Sequence, residues 1–307
     1  MNKKKEVFKS GFISIIGRPN VGKSTFINQV LGKKISIISP KPQTTRNNIR
    51  GVYTTEHSQM IFVDTPGIHK PHHELGAFMN KESLYTIKDS DMILYLIDAL
   101  EDFGTGDEFV INELKKARCK VYLVVNKMDL VKDKNRLIQN VDKFIKAYEF
   151  KNVFYISALT GENIDLLLKD MEDNLDEGPM YYPSDTVSDH PIEFVIGEII
   201  REKVLLLTNE EVPHSVAVVV DFITPSKEDS DMLDINATIY VERQSQKKII
   251  IGSNGSMIKK IGTLARKEIK LLINQKIYLE LWVKVEEDWR NKKSHLKRLG
   301  YTLDNIN

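Results

Sequence analysis

Cysteine is almost missing from this chain: Cys119 is the only one in 307 residues. A lone thiol can neither close an intramolecular disulfide nor build a cysteine-based zinc site, which suits a reducing compartment. Long apolar runs are missing too. No stretch approaches the roughly twenty apolar residues that span a bilayer. The N-terminus, MNKKKEVFKSGFISIIGR, starts basic and turns apolar as a signal peptide does. Its apolar part is only about six residues long and runs into Arg18, too short for such a segment. The chain therefore reads as soluble and cytoplasmic. An excess of one charge is also missing. With a formal net charge of +1, any affinity for nucleic acid or membrane must come from local clusters. There is no internal repeat and no low-complexity segment. What is present is a hydrophobic content of 41% under a charged content of 28%. That suffices for sizeable cores, and the length suits two domains.

From 8 to 175 the chain alternates strands and helices. FISIIG, MIFVD, MILYLID, KVYLVVN and NVFYISA are short apolar, β-branched runs, each followed by a loop and a longer amphipathic or polar segment. Near-continuous apolar strands between helices predict an α/β domain with a mostly parallel sheet covered on both faces. In such sheets ligands bind beyond the carboxyl ends of the strands. The pattern breaks in NLDEGPMYYPSDTVSDHP, where three of the ten prolines fall among Gly, Ser and Asp. Residues 176–191 therefore read as an inter-domain linker. From 192 to 307 the order is helix, strand, strand, loop plus helices, strand. This predicts a smaller α+β domain.

Several strands of the first domain end in polar signatures. GRPNVGKS at 17–24 follows FISII and precedes a helix, fitting G-x-x-x-x-G-K-[ST] at every fixed position. The backbone N–H groups from Gly17, Arg18, Pro19 (which has none), Asn20, Val21 and Gly22 onward, with the helix start at Lys23, Ser24 and Thr25, would cradle phosphates. Lys23 would reach the β- and γ-phosphates and the Ser24 hydroxyl would ligate Mg²⁺. DTPG at 64–67 ends MIFV. Asp64 can hold Mg²⁺ through a water, and the Gly67 N–H can meet a γ-phosphate, with Thr65, Pro66 and Ile68 beside them. That couples a loop to the presence of the phosphate. NKMD ends VYLVV. Asp129 is an acceptor-only carboxylate that can pair with the N1–H and amine of guanine, an edge adenine lacks. Asn126 can bond the base and nearby loops, the Lys127 stem can lie over the ring, and Met128 completes the motif. In SAL, at Ser157, Ala158 and Leu159, a backbone N–H can meet the guanine carbonyl. Four such elements in this order identify a GTP-binding domain, and NKMD speaks against the rival P-loop ATPase.

The catalytic expectations are Lys23, Thr45, Gly67 and Asn20. PQTTR at 42–46 holds two threonines where a switch threonine would close on Mg²⁺. Thr44 and Thr45 both qualify, with a slight preference for Thr45, so the metal set reads Ser24, Thr45 and Asp64. Many GTPases carry a glutamine after the DxxG glycine to orient the attacking water. Here the position is Ile68, which cannot hydrogen-bond, so slow intrinsic hydrolysis is expected.

With GRPNVGKST, SPKPQTTR, DTPGIHKP, NKMD, SAL, YYP, IIIGSNGSMIKKIG and LWVKV in order, the chain resembles the Era family of bacterial GTPases over nearly its whole length. The resemblance implies a TrmE-Era-Septin-like P-loop GTPase domain followed by a type II KH domain. It implies binding of 16S rRNA near its 3′ end and a role in 16S rRNA processing and 30S ribosomal subunit assembly. It also implies GTP and GDP as ligands, a monomer, and peripheral association with the inner face of the cell membrane. Ile68 fits a family whose members lack the glutamine. Asn20 occupies the position that in related GTPases helps hold a catalytic potassium ion (K⁺), although an asparagine shaping the turn explains it as well.

The second glycine loop, Gly252-Ser253-Asn254-Gly255, follows the apolar run III, read as a strand, and leads into a helix. In KH domains such a loop clamps the backbone of four single-stranded nucleotides. Lys259, Lys260, Arg266 and Lys267 add charge nearby. Ser253 and Asn254 offer hydrogen-bond donors but no charge. Without G-K-[ST], the loop is not poised for a triphosphate. Between Trp289 and Arg298 lie five Lys or Arg and no acid. That run suits RNA backbone, anionic lipid or a plain solvated helix face. The rival to the ribosomal reading is a membrane-surface signalling GTPase whose second domain docks lipid or protein.

Overall fold

The computed structural model describes residues 7–41, 43–67, 73–227, 229 and 231–301. The chain forms two compact units. One comprises 1–36, 45–70 and 79–189, the other 37–44, 71–78 and 190–307.

Up to residue 189 the elements run in order β1 (Lys9–Ile16), α1 (Lys23–Leu31), β2 (Ile49–Thr54), β3 (Ser58–Asp64), α2 (Glu74–Asp89), β4 (Met92–Asp98), α3 (Thr105–Leu114), β5 (Lys120–Asn126), α4 (Lys134–Ala147), β6 (Val153–Tyr155) and α5 (Ile164–Asn174). The sheet order is β2-β3-β1-β4-β5-β6. Only the β2–β3 pair is antiparallel. β2, IRGVYT, is a strand that the apolar-run pattern misses, because it mixes polar residues with β-branched ones. The strands alternate between two cores. Met92, Leu94 and Leu96 of β4 join one, with Phe26 and Ile27 of α1. Ile93, Tyr95 and Ile97 join the other, with Val110 of α3 and Phe144 of α4. A sheet buried on both faces needs apolar residues at both parities, hence the continuous runs. The strand order reverses at β1, which has β3 on one side and β4 on the other. Loops leaving the carboxyl ends of strands at that point open onto a common crevice.

Composition predicts a linker at 176–191, yet its residues up to 189 are bound to the first unit. Lys9 bridges to Glu177, and Gly51 to Ser188. Val52 N–H donates to the Val187 carbonyl at 2.9 Å. The Gln59 side chain accepts from the N–H groups of Tyr181 and Tyr182 at 2.8 and 3.0 Å and donates to the Tyr182 carbonyl at 2.9 Å. This cover satisfies part of the edge of β2, which would otherwise offer open backbone groups to another strand.

The second unit consists of α6 (Ile192–Leu207), β7 (Ala217–Pro225), β8 (Met232–Val241), α7 (Gln244–Ile251), α8 (Ser256–Ile273), β9 (Lys276–Val285) and α9 (Lys293–Arg298). β7 and β8 pair antiparallel, β8 and β9 parallel. Ile196 and Ile200 of α6, Ile250 of α7 and Ile261 and Ala265 of α8 share one core with Ile235 and Ile239 of β8. The run before the second glycine loop is the end of helix α7, not a strand, so the loop joins two helices. A short apolar run cannot be assigned by periodicity alone. Here Gln246 decides it: its buried side-chain carbonyl accepts from Glu242 N–H at 2.9 Å and Arg243 N–H at 3.0 Å, starting a helix.

Candidate functional site

The first glycine loop is held in its shape by close approach. Gly17 has φ 155°, and a Cβ there would lie 2.3 Å from the Leu96 carbonyl of β4. Gly22 has φ 100°, and a Cβ there would meet the Asn126 amide nitrogen at 2.3 Å. Gly22 is also the N-cap of α1 and brings no side-chain cap. The first N–H groups of α1 therefore remain available to an anion. Asn20 adopts φ 65° with its side chain exposed. Arg18 turns away from the loop towards Glu101 at 3.1 Å and Asp107 at 3.4 Å.

Lys23 is buried and donates to the carbonyls of Gly17 at 3.2 Å and Arg18 at 3.0 Å. Burial lowers its ammonium to about 8, against the opposing pull of the Asp64 charge. Asp64 is wholly buried at the end of β3. Burial raises its carboxyl above the ordinary range, while Lys23 and three hydroxyl bonds pull it back. Those hydroxyls reach one oxygen, Oδ2: Ser24 at 2.7 Å, Ser36 at 2.7 Å and Thr45 at 3.3 Å. The other oxygen, Oδ1, is buried without a hydrogen-bond partner among the described residues. Of the two adjacent threonines, Thr45 faces this cluster, with Oγ1 also 3.0 Å from Ser24 Oγ. Thr44 instead bonds the Lys41 carbonyl at 2.6 Å. Gly67 lies against the first loop, since a Cβ there would be 3.0 Å from the Pro19 ring. Thr65 anchors the turn through the Ile15 carbonyl at 2.8 Å, and the Pro66 carbonyl accepts from Ser83 at 2.8 Å. Ile68 lies outside the described residues.

The NKMD and SAL motifs, expected to read a base, meet through Asn126 and Asp129. Asn126 donates to the Val21 carbonyl and accepts from the Ala158 N–H, both at 2.8 Å. It thereby staples the first loop to SAL and uses both ends of its amide doing so. Asp129 is exposed, and one of its carboxylate oxygens accepts from the buried Ser157 hydroxyl at 2.6 Å. The second oxygen is not used in that bond. Lys127, at φ 68°, pairs with the buried Asp98 at 2.6 Å. Leu159 stands 72% exposed at the rim. Sequence reasoning missed Ser36 and Asp98. Neither sits in a motif, and only the fold brings them to Asp64 and Lys127.

In the second unit, Gly252, Asn254 and Gly255 have φ 73°, 50° and 76°. A Cβ at Gly252 would lie 2.7 Å from that of Met257, whereas one at Gly255 would meet nothing within 4 Å. Gly252 is thus needed for packing, and Gly255 leaves an open approach to the start of α8. Ser253, Asn254, Lys259, Lys260, Arg266 and Lys267 are all exposed. The run after Trp289 is different. Arg290 pairs with Glu242, Arg298 with Glu286, and Lys292 bonds the Glu287 carbonyl. Trp289 is fully buried and donates to the Ser215 carbonyl at 2.9 Å. Much of that basic run is therefore structural.

Two family models match the chain: "50S ribosome-binding GTPase" over residues 12–127 and "KH domain" over residues 211–290. Two solved structures are similar over 96% of this chain and 100% of their own, at 40% identity and TM-score 0.93. One is Era in complex with MgGDPNP and nucleotides 1506–1542 of 16S ribosomal RNA. The other is a single-residue variant of Aquifex aeolicus Era bound to GDP·AlF4⁻. The motif geometry of the first unit, the glycine loop of the second and this likeness along both place the chain in the Era family of GTPases.

Proposed function

We propose that this chain is a GTP-hydrolysing switch that binds 16S rRNA near its 3′ end through its KH domain. It acts in 16S rRNA processing and assembly of the 30S subunit. The observation that carries this reading is full-length likeness to a protein whose structure holds both a guanine nucleotide and that RNA. The geometry supports each half. Asp129 keeps a free carboxylate oxygen for the guanine edge. The uncapped start of α1 and Lys23 suit a triphosphate.

The donor set at Asp64 fits Mg²⁺. It is all oxygen, and its one orphaned buried atom is a carboxylate oxygen, as a hard cation requires. Ser24, Thr45 and Asp64 would hold the ion, directly or through water, and the ion would neutralise charge on the transferring phosphate. Lys23 supplies further positive charge to that phosphate, and the Gly67 N–H reports its presence. Asn20 would supply a ligand to K⁺. Without a glutamine after Gly67, intrinsic hydrolysis is slow.

In the second unit the phosphates of a single strand approach Gly255 and the start of α8. Lys259, Lys260, Arg266 and Lys267 supply the charge that Ser253 and Asn254 lack. The membrane-surface reading has less support, because Arg290 and Arg298 are already paired. No helix of the described residues is long and apolar enough to cross a membrane. Peripheral contact by the protein, as a monomer, would fall to the exposed cations of α8. The test is ultraviolet crosslinking in cells, with the recovered RNA sequenced from GTP- and GDP-loaded protein. The 3′ end of 16S rRNA should dominate, more strongly in one nucleotide state. Recovery of lipid or protein without ribosomal RNA overturns the reading.

A further inference from the structure

The hydroxyl cluster on Asp64 contains one member that no nucleotide motif accounts for. Ser24 belongs to the first glycine loop and Thr45 to the threonine pair. Ser36 belongs to neither. Its side chain is fully buried, and its hydroxyl donates to Asp64 Oδ2 at 2.7 Å, as short as the bond from Ser24.

Ser36 is held there from behind. Asn28 of α1 accepts from the Ile35 N–H at 2.9 Å and the Ser36 N–H at 3.0 Å, and donates to the Ser36 carbonyl at 2.7 Å. Three bonds from one amide fix the backbone on both sides of Cα, so the hydroxyl is aimed rather than free to hunt. Asn28 stands one helical turn after Ser24, on the same face of α1. A rigid helix thus carries both a candidate metal ligand and the clamp for the residue that grips the carboxylate.

From this geometry we infer that Ser36 is a positioning residue for the divalent cation. Its hydroxyl occupies Oδ2 from the protein side and keeps the carboxylate from rotating. Oδ1, buried and without a hydrogen-bond partner among the described residues, is left for the cation or its bound water. Ser24 and Thr45 have a second task, since their oxygens also face the cation. Ser36 contributes only orientation, the role that outer hydrogen-bond partners play at metal sites. The inference rests on the reading of this site as one for a magnesium-bound guanine nucleotide.

The test uses the full-length protein and a fluorescent GDP analogue. Two quantities are measured: the free Mg²⁺ concentration at half-maximal slowing of nucleotide release, and the release rate in excess EDTA. Ser36→Ala should raise the Mg²⁺ midpoint by about 10- to 100-fold, the usual cost of losing an outer-sphere partner. Its release rate in EDTA should stay within about twofold of the parent, because the contacts of base and phosphate are intact. Ser36→Thr, which restores the hydroxyl, should recover most of the midpoint. An unchanged midpoint in Ser36→Ala overturns the inference. So does an equal acceleration in EDTA, which would make Ser36 a structural residue of the loop. If Ser36→Ala does not fold, Asn28→Ala carries the same two measurements, with the same expected and overturning results. Should the parent itself show no Mg²⁺-dependent release, the nucleotide reading fails, and that outcome is distinct from a normal parent with an indifferent variant.

Discussion

In the proposed reading, base choice rests on a single carboxylate. Asp129 spends one oxygen on Ser157 and keeps the other. Asp129→Asn exchanges an acceptor for a donor. Xanthine carries a carbonyl where guanine carries its amine, so preference should move from GTP to xanthosine triphosphate. A hydrogen bond to a charged group contributes about 1.5–3 kcal/mol, so GTP affinity should fall roughly 10- to 100-fold. Competition against a fluorescent guanine nucleotide measures it, and an unaltered ranking would remove Asp129 from base reading. A second carboxylate matters for stability rather than for ligand. Glu82 of α2 is 5% exposed, and burial raises it from the ordinary 4.5 to about 7, despite the Asn48 backbone bond and the Arg50 charge. The native state therefore binds more protons than the unfolded chain between those values, and this contribution is lost as pH rises through 7. Glu82→Gln keeps the shape and never ionises. Its stability advantage should be small at pH 5 and grow towards pH 8, by at most about 3 kcal/mol. Urea unfolding at both values decides; a pH-independent difference refutes the assignment.

At the scale of elements, the two glycine loops differ in the residues on their C-terminal side. The first ends in Lys23 and Ser24, groups suited to a triphosphate and its cation. The second leads from α7 into α8, whose exposed side carries bases and no metal ligands. Gly255 has room for a side chain but a left-handed backbone. Gly255→Asp places a negative charge at the proposed approach of the phosphates, and Gly255→Asn controls for backbone strain. RNA affinity should fall by at least about tenfold for Asp and much less for Asn, as expected for a charge at a backbone-binding surface. Guanine-nucleotide affinity should not move. Equal loss in both variants would place the effect in loop geometry rather than in phosphate contact. The four nucleotide motifs are legible at this scale because each is a contiguous string at a strand end, and the second glycine loop because its G-x-x-G spacing is contiguous too. Strand β2 and helix α7 were not, since a mixed or short apolar run fits more than one periodicity.

For the whole molecule, binding of nucleotide and RNA to one chain obeys linkage. Whatever factor GTP applies to RNA affinity, RNA must apply to GTP affinity, so titrations with the crosslinked RNA run in both directions must agree. The sequence by itself determined the two-part organisation, the order of the GTP motifs and the glycine loop of the second part. These depend on local composition and spacing, which a linear string preserves. Only the tertiary structure decided that Ser36 and Asn28 stand behind Asp64, that Asp98 receives Lys127, and that Asn126 staples two loops. It also bound residues 177–189 along strands β1, β3 and β2 of the first sheet and paired much of the basic run after Trp289. Each of these joins residues far apart in the chain, and only folding sets their distances. A lone serine between an isoleucine pair carries no signal until a sheet and a helix bring it to a buried carboxylate.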